Sequence, residues 1–439
     1  MIQKIFITAL LVSLRLTISF AQTTPISSLG TSPSTITSSA YSVYGLGEST
    51  FNGTTENIGK GGLSTAVVNY FSPSFSNAAT FSHNRLTTFQ VGIRLSEKQQ
   101  LTDRTKNWSN NGSLNYSTLA FPVNKWWGCG VGLIPTYAQG YDLTQDSVNV
   151  PFGLANYKFS GKGNINKLAF GNAINPFKWF SDSIAPDFSI GFGIGYMFGT
   201  NKSHNAIEYV NYNNLGYYNQ LIIKENIYNG LTYNAGIIHK FKVAKKIDMS
   251  VGATYDFTSK LKTSKSLDIY NYITNLPVTD SVSKAITTDL KTTLPAKIGL
   301  GFTLIFNNNL IVGVDYKNEQ WSKFQHGTDV NNLKNSNTYI LGFEYNAHKQ
   351  SGGFLLNTNY RLGFRYKQLP YAPNGVALDE KAVSIGFGLP IKRSFSSVNI
   401  GFEMAQRGTK LNGLIQENYF SAFVGITIND RWFIKQKYD

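Results

Sequence analysis

Residues 86–97 read LTTFQVGIRLSE, and they decide the fold. Phe89, Val91, Ile93 and Leu95 alternate there with Thr88, Gln90, Gly92 and Arg94. A period of two places the apolar set on one face of a strand and the polar set on the other. The same alternation recurs to the end of the chain. It predicts strands over 85–97, 112–124, 126–139, 161–174, 187–200, 230–242, 247–260, 292–306, 309–324, 337–347, 354–368, 381–392, 397–408 and 419–428. That makes about fourteen, an even number, as in bacterial single-chain membrane barrels.

The connections sharpen this reading. Those after even-numbered strands are mostly short, at Asn124–Lys125, Val243–Lys246, Asn307–Asn308 and Arg393–Ser396, with longer ones at Asn175–Pro186 and His348–Gly353. Those after odd-numbered strands are mostly long: Lys98–Asn111, Gly140–Ser160, Asn201–Asn229, Leu261–Lys291, Gln325–Ser336, Leu369–Glu380 and Thr409–Asn418. A barrel with short periplasmic turns and long external loops sorts its loops in this way. A soluble sandwich or propeller has no reason to. The fold class expected is all-β: a transmembrane antiparallel barrel of about 14 strands, with an N-terminal plug (hatch) inside the lumen. Aromatic residues beside the proposed turns, Trp126 with Trp127, Phe177 with Trp179 and Phe180, and Tyr366 with Tyr371, suit an interfacial girdle.

Composition agrees. The chain has 30 Phe, 25 Tyr, 6 Trp and 40 Gly but only 15% charged residues, so outward apolar and inward polar residues average out. Residues 1–21 have the form of a secretory signal: Lys4, an apolar run from Ile5 to Phe20 that Arg15 interrupts, then Ser19 and Ala21 before Gln22. Cys129 is the single cysteine; it forms no internal disulfide and is expected to pack as a small hydrophobe. A net charge of +15 without a basic run or recognition motif argues against nucleic acid and for barrel rims facing phosphorylated lipid.

Between signal and first strand lies YSVYGLGESTFNGTTENIGKGGLSTAVVNYFSPSFSNAATF, residues 41–81. It is polar and has neither strand nor helix periodicity. Its glycines, among them Gly45, Gly47, Gly59, Gly61 and Gly62, permit tight irregular folding. Irregular backbone is tolerated at membrane depth when protein surrounds it. A barrel of about fourteen strands has a lumen that needs filling. The division expected is a signal at 1–21, an N-terminal segment and plug at 22–84, and the barrel at 85–439. The alternative for the segment is a flexible periplasmic leader.

Catalytic signals are absent. The histidines, at 83, 204, 239, 326 and 348, show no metal-ligand spacing, and no nucleophile elbow or phosphate-binding loop occurs. No enzymatic activity, cofactor or metal is expected. In 358–366, Tyr360, Leu362, Phe364 and Tyr366 take the lipid face, which turns Arg361 and Arg365 inward with Asn359. There they contact an anionic ligand head group or pair with a carboxylate of the plug, the second being the structural reading.

YGLG…GKGG followed by SFSNAATF and LTTFQVGI resembles the hatch of FadL-type outer-membrane transporters. NIGFEMAQRGT…GLIQENYFSAFVGITINDRWFIKQKYD is similar to the ending of FadL-like barrels from Bacteroidetes. The resemblance implies a location in the bacterial outer membrane and passive uptake of hydrophobic compounds such as long-chain fatty acids. In such channels a shift of the hatch opens a lateral route through a kinked wall; Gly128, Gly130 and Pro135 are the kink candidates here. Where the family hatch carries Asn-Pro-Ala, this chain has Asn77, Ala78 and Ala79, which restores a backbone donor and bears on the hatch conformation. The expected partners are hydrophobic small molecules and outer-membrane lipid. An alternative is an accessory or plugging subunit of a protein-secretion complex.

Overall fold

A computed structural model describes residues 37–150, 153–180, 187–210, 218–273, 280–327, 332–347 and 357–432. The 1–21 signal lies outside the described residues. Among the described residues, eighteen strands form one sheet. They are β1 (Glu48–Ser49), β2 (Thr87–Leu101), β3 (Lys106–Pro122), β4 (Trp127–Val150), β5 (Gly153–Ile174) and β6 (Asp187–Val210). Next come β7 (Asn219–Ala244), β8 (Ile247–Asp256), β9 (Ser259–Tyr272), β10 (Asp280–Leu294), β11 (Lys297–Phe306) and β12 (Leu310–Glu319). The last are β13 (Gln325–His326), β14 (Ser336–Asn346), β15 (Asn359–Gln368), β16 (Asp379–Pro390), β17 (Ser397–Arg407) and β18 (Gln416–Asp430).

Fourteen of these close the wall. The antiparallel ring runs β2 to β8, passes to β11 and β12, continues from β14 to β18, and returns through β18 against β2. Strands β9 and β10 continue β8 and β11 beyond Phe257 and Pro295, while β1 and β13 are short additions. Each expected strand therefore has its counterpart. Four expected long loops do not remain loops. Lys98–Asn111, Gly140–Ser160, Asn201–Asn229 and Leu261–Lys291 are largely strand, with Leu101 paired to Lys106, Leu143 to Phe159 and Thr263 to Leu290. Above the bilayer both faces of a hairpin are polar, so period-two alternation stops where the apolar band stops, although the pairing goes on.

Along β6, Ile190, Phe192, Ile194, Tyr196 and Phe198 are each 37–45% exposed, while the alternate Gly191, Gly193 and Gly195 are buried. The same band continues round the wall through residues such as Leu168, Leu300, Val383 and Met404. So large an apolar surface belongs in lipid, and a closed antiparallel barrel carrying it is the architecture of bacterial outer-membrane proteins. At the short-turn end, Asn307 and Asn308 both take positive φ and the Asn309 amide donates to the Phe306 carbonyl, which closes the three-residue connection between β11 and β12. Trp127, Phe177 and Tyr366 are exposed, as a girdle requires. Tyr371 is not: it is buried and stacks on Tyr41 and Tyr44, because a loop folds it onto the N-terminal segment. The side chains of Trp179 and Phe180 lie outside the described residues.

The inner face is lined by glycine. Gly130, Gly171 and Gly193 are successive cross-strand partners, as are Gly313, Gly342 and Gly363. The pairs Gly252–Gly301, Gly386–Gly401 and Gly425–Gly92 extend the belt. Without side chains there, backbone approaches backbone: a Cβ on Gly363 would overlap the Gly61 amide, and one on Gly342 would come within 2.7 Å of the Lys60 carbonyl. Accordingly, Gly363→Val is expected to lower stability by at least the ~1–3 kcal/mol of overpacking and to release residues 37–84 to protease. The thermal midpoint in detergent and limited proteolysis check this. Leu362→Val, on the lipid face, serves as the control.

Candidate functional site

The segment from Thr37 to Asn84 lies against the inward faces of the wall strands. Its helical turn Thr55–Ile58 starts with a reciprocal cap, in which the Asn57 amide donates to Thr54 Oγ1 and the Thr54 amide to Asn57 Oδ1. Beyond it the amides of residues 59–63 turn back onto the segment's own carbonyls, and the wall adds further partners. Gly61 N–H donates to Ser384 Oγ at 2.8 Å, and the Ser64 and Thr65 amides both donate to Asp315 Oδ2 at 2.9 Å. Asn77 Nδ2 donates to the Thr65 carbonyl at 2.7 Å, and Ser82 Oγ donates to Ser189 Oγ at 2.6 Å.

Buried charge supplies the second set of attachments. Lys60 Nζ bridges Glu344 at 2.6 Å and Glu56 at 3.2 Å. Arg361 joins Glu344 at 3.4 Å and donates to Asn399 Oδ1 at 2.7 Å. Arg365 spans Glu403 at 2.8 Å and Glu380 at 3.2 Å, and Arg407 spans Glu380 at 2.6 Å and Glu48 at 2.9 Å. Lys98 meets Glu48 at 3.4 Å and Glu417 at 3.7 Å. Glu417 in turn accepts from Ser39 Oγ and from the Ala40 amide. The network ties five wall-borne or hatch-borne cations to carboxylates on both bodies. Burial disfavours ionisation of Glu48, yet Arg407 and Lys98 outweigh it and hold its carboxyl well below the usual range.

The wall itself is interrupted beside this segment. β3 and β4 pair only from Ser117–Leu133 to Pro122–Gly128. Above that level β3 keeps its ladder to β2 and β4 keeps its ladder to β5, but they have no ladder to each other. β4 carries a bulge at Pro135–Tyr137 there, and Ile134, Tyr137 and Ala138 are buried. The N-terminal segment takes the vacant edge of β4. Glu48 and Ser49 of β1 pair with Ala138 and Tyr137, Thr50 N–H donates to the Thr136 carbonyl at 3.0 Å, and Ser39 N–H donates to the Gly140 carbonyl at 2.7 Å. On the β3 side, Asn111 bonds Ser38, Asn115 bonds the Gly53 carbonyl, and the Tyr116 hydroxyl accepts from the Thr55 amide. Loopward of the split, Leu46 is fully buried in an apolar cluster with Tyr137, Ile165, Met197, Tyr228, Leu261 and Trp321.

A family model described as BamG matches residues 1–439. The chain belongs to the BamG family. No curated protein matches it in sequence. Among solved structures this BamG-family chain is similar to the Ralstonia pickettii toluene transporter TbuX, at 13% identity and a TM-score of 0.56, covering 86% of this chain and 98% of that one. It is also similar to a Pseudomonas aeruginosa FadL homologue, at 13% identity and a TM-score of 0.57, covering 85% and 97%. The Pseudomonas putida toluene transporter TodX follows at 14% identity and a TM-score of 0.54, covering 85% and 96%. At such identities the likeness is one of fold, and the FadL-type barrel expected from sequence is the fold this BamG-family member has.

The expected site residues fall as follows. Gly45 and Gly47 flank Leu46 beside the split; Gly47, at φ +107, leaves no room for a Cβ against the Ala138 carbonyl. Gly59, Gly61 and Gly62 follow the capped turn, with Gly61 at φ +74 directly on β15. Asn77 caps the 3₁₀ turn Ala78–His83 by accepting from the Ala79 amide at 3.0 Å. Ala78 is the first residue of that turn, the position where proline and alanine are both accommodated, so the missing proline leaves the turn formed. Arg361 and Arg365 do face inward, but their carboxylates belong to neighbouring strands and not to the plug; Arg365 reaches the hatch through the Gly61 carbonyl at 3.3 Å. Gly128 and Gly130 lie against Phe81, so of the three kink candidates it is Pro135 that marks the bulge. Lys60, Glu48, Glu56, Arg407, Glu380 and Glu417 escaped the sequence reading. For Glu380, Arg407 and Glu417 the signal was charge in phase with the inward glycines, visible only once register is known; Glu48, Glu56 and Lys60 lie in the aperiodic segment, which gives no such phase.

Two outcomes test these attachments. Lys60→Met leaves Glu56 and Glu344 short of a cation and is expected to cost about 3–5 kcal/mol, read as a lower thermal midpoint and earlier proteolysis of the hatch. The depressed carboxyl of Glu48 contributes stability that is complete above the ordinary carboxylate range and lost as pH falls through its lowered value. Protection of residues 37–50 from proteolysis is therefore expected to be flat from about pH 8 to about pH 5 and to fall in stronger acid.

Proposed function

We propose that this BamG-family barrel is an outer-membrane channel for hydrophobic compounds, long-chain fatty acids among them, seen with its hatch closed. The observation that carries the reading is the split between β3 and β4, filled by the chain's own residues 38–55 and backed by the apolar cluster around Leu46. A small movement of residues 38–50 would free the β4 edge and vacate Leu46's position. An apolar solute entering from the loops would then pass sideways into lipid without crossing the polar core of the hatch. Such a ligand needs burial more than specific polar contacts, and the cluster supplies apolar side chains on every side. The solved toluene transporters of the same fold support the substrate class.

A second reading is an accessory, non-conducting subunit of a protein-secretion complex. Its support is the buried ion-pair network, which a hatch that never travels would tolerate best.

A reversible lock separates the two. Thr50→Cys with Thr136→Cys, in a Cys129→Ala background, places two thiols at adjoining positions of the β1–β4 register. Proteoliposomes should take up a fluorescent long-chain fatty acid when the pair is reduced and stop when it is oxidised. Equal rates in both states would remove the split as the route. Absence of uptake in either state, with a stoichiometric protein co-purifying from native membranes, would favour the accessory role.

A further inference from the structure

The positive charge of this chain is not spread evenly around the barrel. On β5, β6, β9 and β10 lysines stand among the outward side chains just beyond the lipid-facing band. Phe198 is the last exposed aromatic of β6, and Lys202 follows it two outward positions on; Phe257 is the last outward aromatic before β9, and Lys260 and Lys262 follow it. Lys162 of β5 is the direct cross-strand partner of Lys202, and Lys262 of β9 is the direct partner of Lys291 of β10. Their inward neighbours Asn201, Leu261 and Thr292 are buried, which fixes the lysines on the outer face.

Like charges directly opposite one another weaken a ladder, so two such pairs in one arc need an anion to offset them. The chain supplies little. Glu225 stands opposite Lys202, but none of the five lysines is in an ion pair among the described residues, whereas Lys158 nearby is held by Glu208 at 2.7 Å. The other side of the wall differs at the same boundary. There β14 to β18 present Tyr339, Tyr366, Gln406 and Asn418, and the one lysine, Lys381, has Asp379 at 3.8 Å. Lysine stems lie along apolar surface and lift their ammonium groups to head-group level.

We propose that Lys162, Lys202, Lys260, Lys262 and Lys291 form a docking site for the phosphate groups of lipids in the leaflet at the loop end of the barrel. The site orients the barrel by one side. Phosphate oxygens bridge each lysine pair, while the acyl chains lie against Phe198, Leu231 and Phe257 below. It is separate from the lumen and holds whether or not the barrel conducts.

The test uses the full chain in nanodiscs of phosphatidylcholine containing one-fifth phosphatidic acid, followed by mass spectrometry of the lipids retained after gentle detergent extraction. Retained phosphatidic acid should exceed its bulk share by about fivefold or more at low salt and decline as salt rises. Lys162→Gln/Lys202→Gln/Lys262→Gln/Lys291→Gln should lose the enrichment. The same four changes to Arg should keep it, as should Lys381→Gln. Heat-modifiable gel mobility confirms that each variant forms its barrel. Enrichment that survives the four glutamines, or is absent from the parent chain, overturns the proposal.

Discussion

An irregular, polar backbone can stay at membrane depth only if its surroundings complete its hydrogen bonds. Everything inside this barrel answers that constraint. The amides of residues 59–63 turn back onto Thr55, Asn57, Ile58 and Lys60, while Asp315 takes the Ser64 and Thr65 amides and Ser384 and Arg365 add bonds to Gly61. The inward glycines are the steric counterpart. A wall with ordinary side chains would hold the hatch too far away for those bonds to form.

The charge network follows from the same enclosure. Where residues 37–84 fill the lumen, each buried carboxylate must find a cation or take up a proton. Glu344, Glu380 and Glu403 find arginine or lysine within 3.4 Å, and Glu48 and Lys60 carry the pairing across from wall to hatch. Such pairs add little net stability over apolar packing, yet removing one partner is costly, so they specify one docked arrangement more than they strengthen it. Plug and wall are consequently read best as a single body at rest.

Much of this was legible in the sequence and some was not, for identifiable reasons. Phe89 to Leu95 disclosed a strand because one face meets lipid and the other does not. Strands β9 and β10 were hidden because, past Phe257, lysines such as Lys260 and Lys262 replace the apolar residues on the outer face. Arg361 and Arg365 could be turned inward from their aromatic neighbours, but their partners Glu344, Glu380 and Glu403 sit 17, 15 and 38 residues away, and only register brings them together. The β3–β4 split left a trace in Pro135, yet an isolated proline does not announce that a neighbouring strand has departed. Tyr371 misled because an aromatic near a strand end suits a girdle and a hatch contact equally well.

The strand edge that β4 offers to residues 48–50 also bears on how the molecule is built. Residues 37–84 precede the fourteen wall strands in the chain, and they touch wall strands from β2 to β18. The wall closes by pairing the two ends of the barrel, Thr87–Leu101 with Gln416–Asp430. A hatch already bound along β4 would serve as a mandrel on which later strands wind, each bringing its carboxylate or arginine to a partner already waiting. A chain in which the wall closed first would have to thread a charged segment through a sealed lumen.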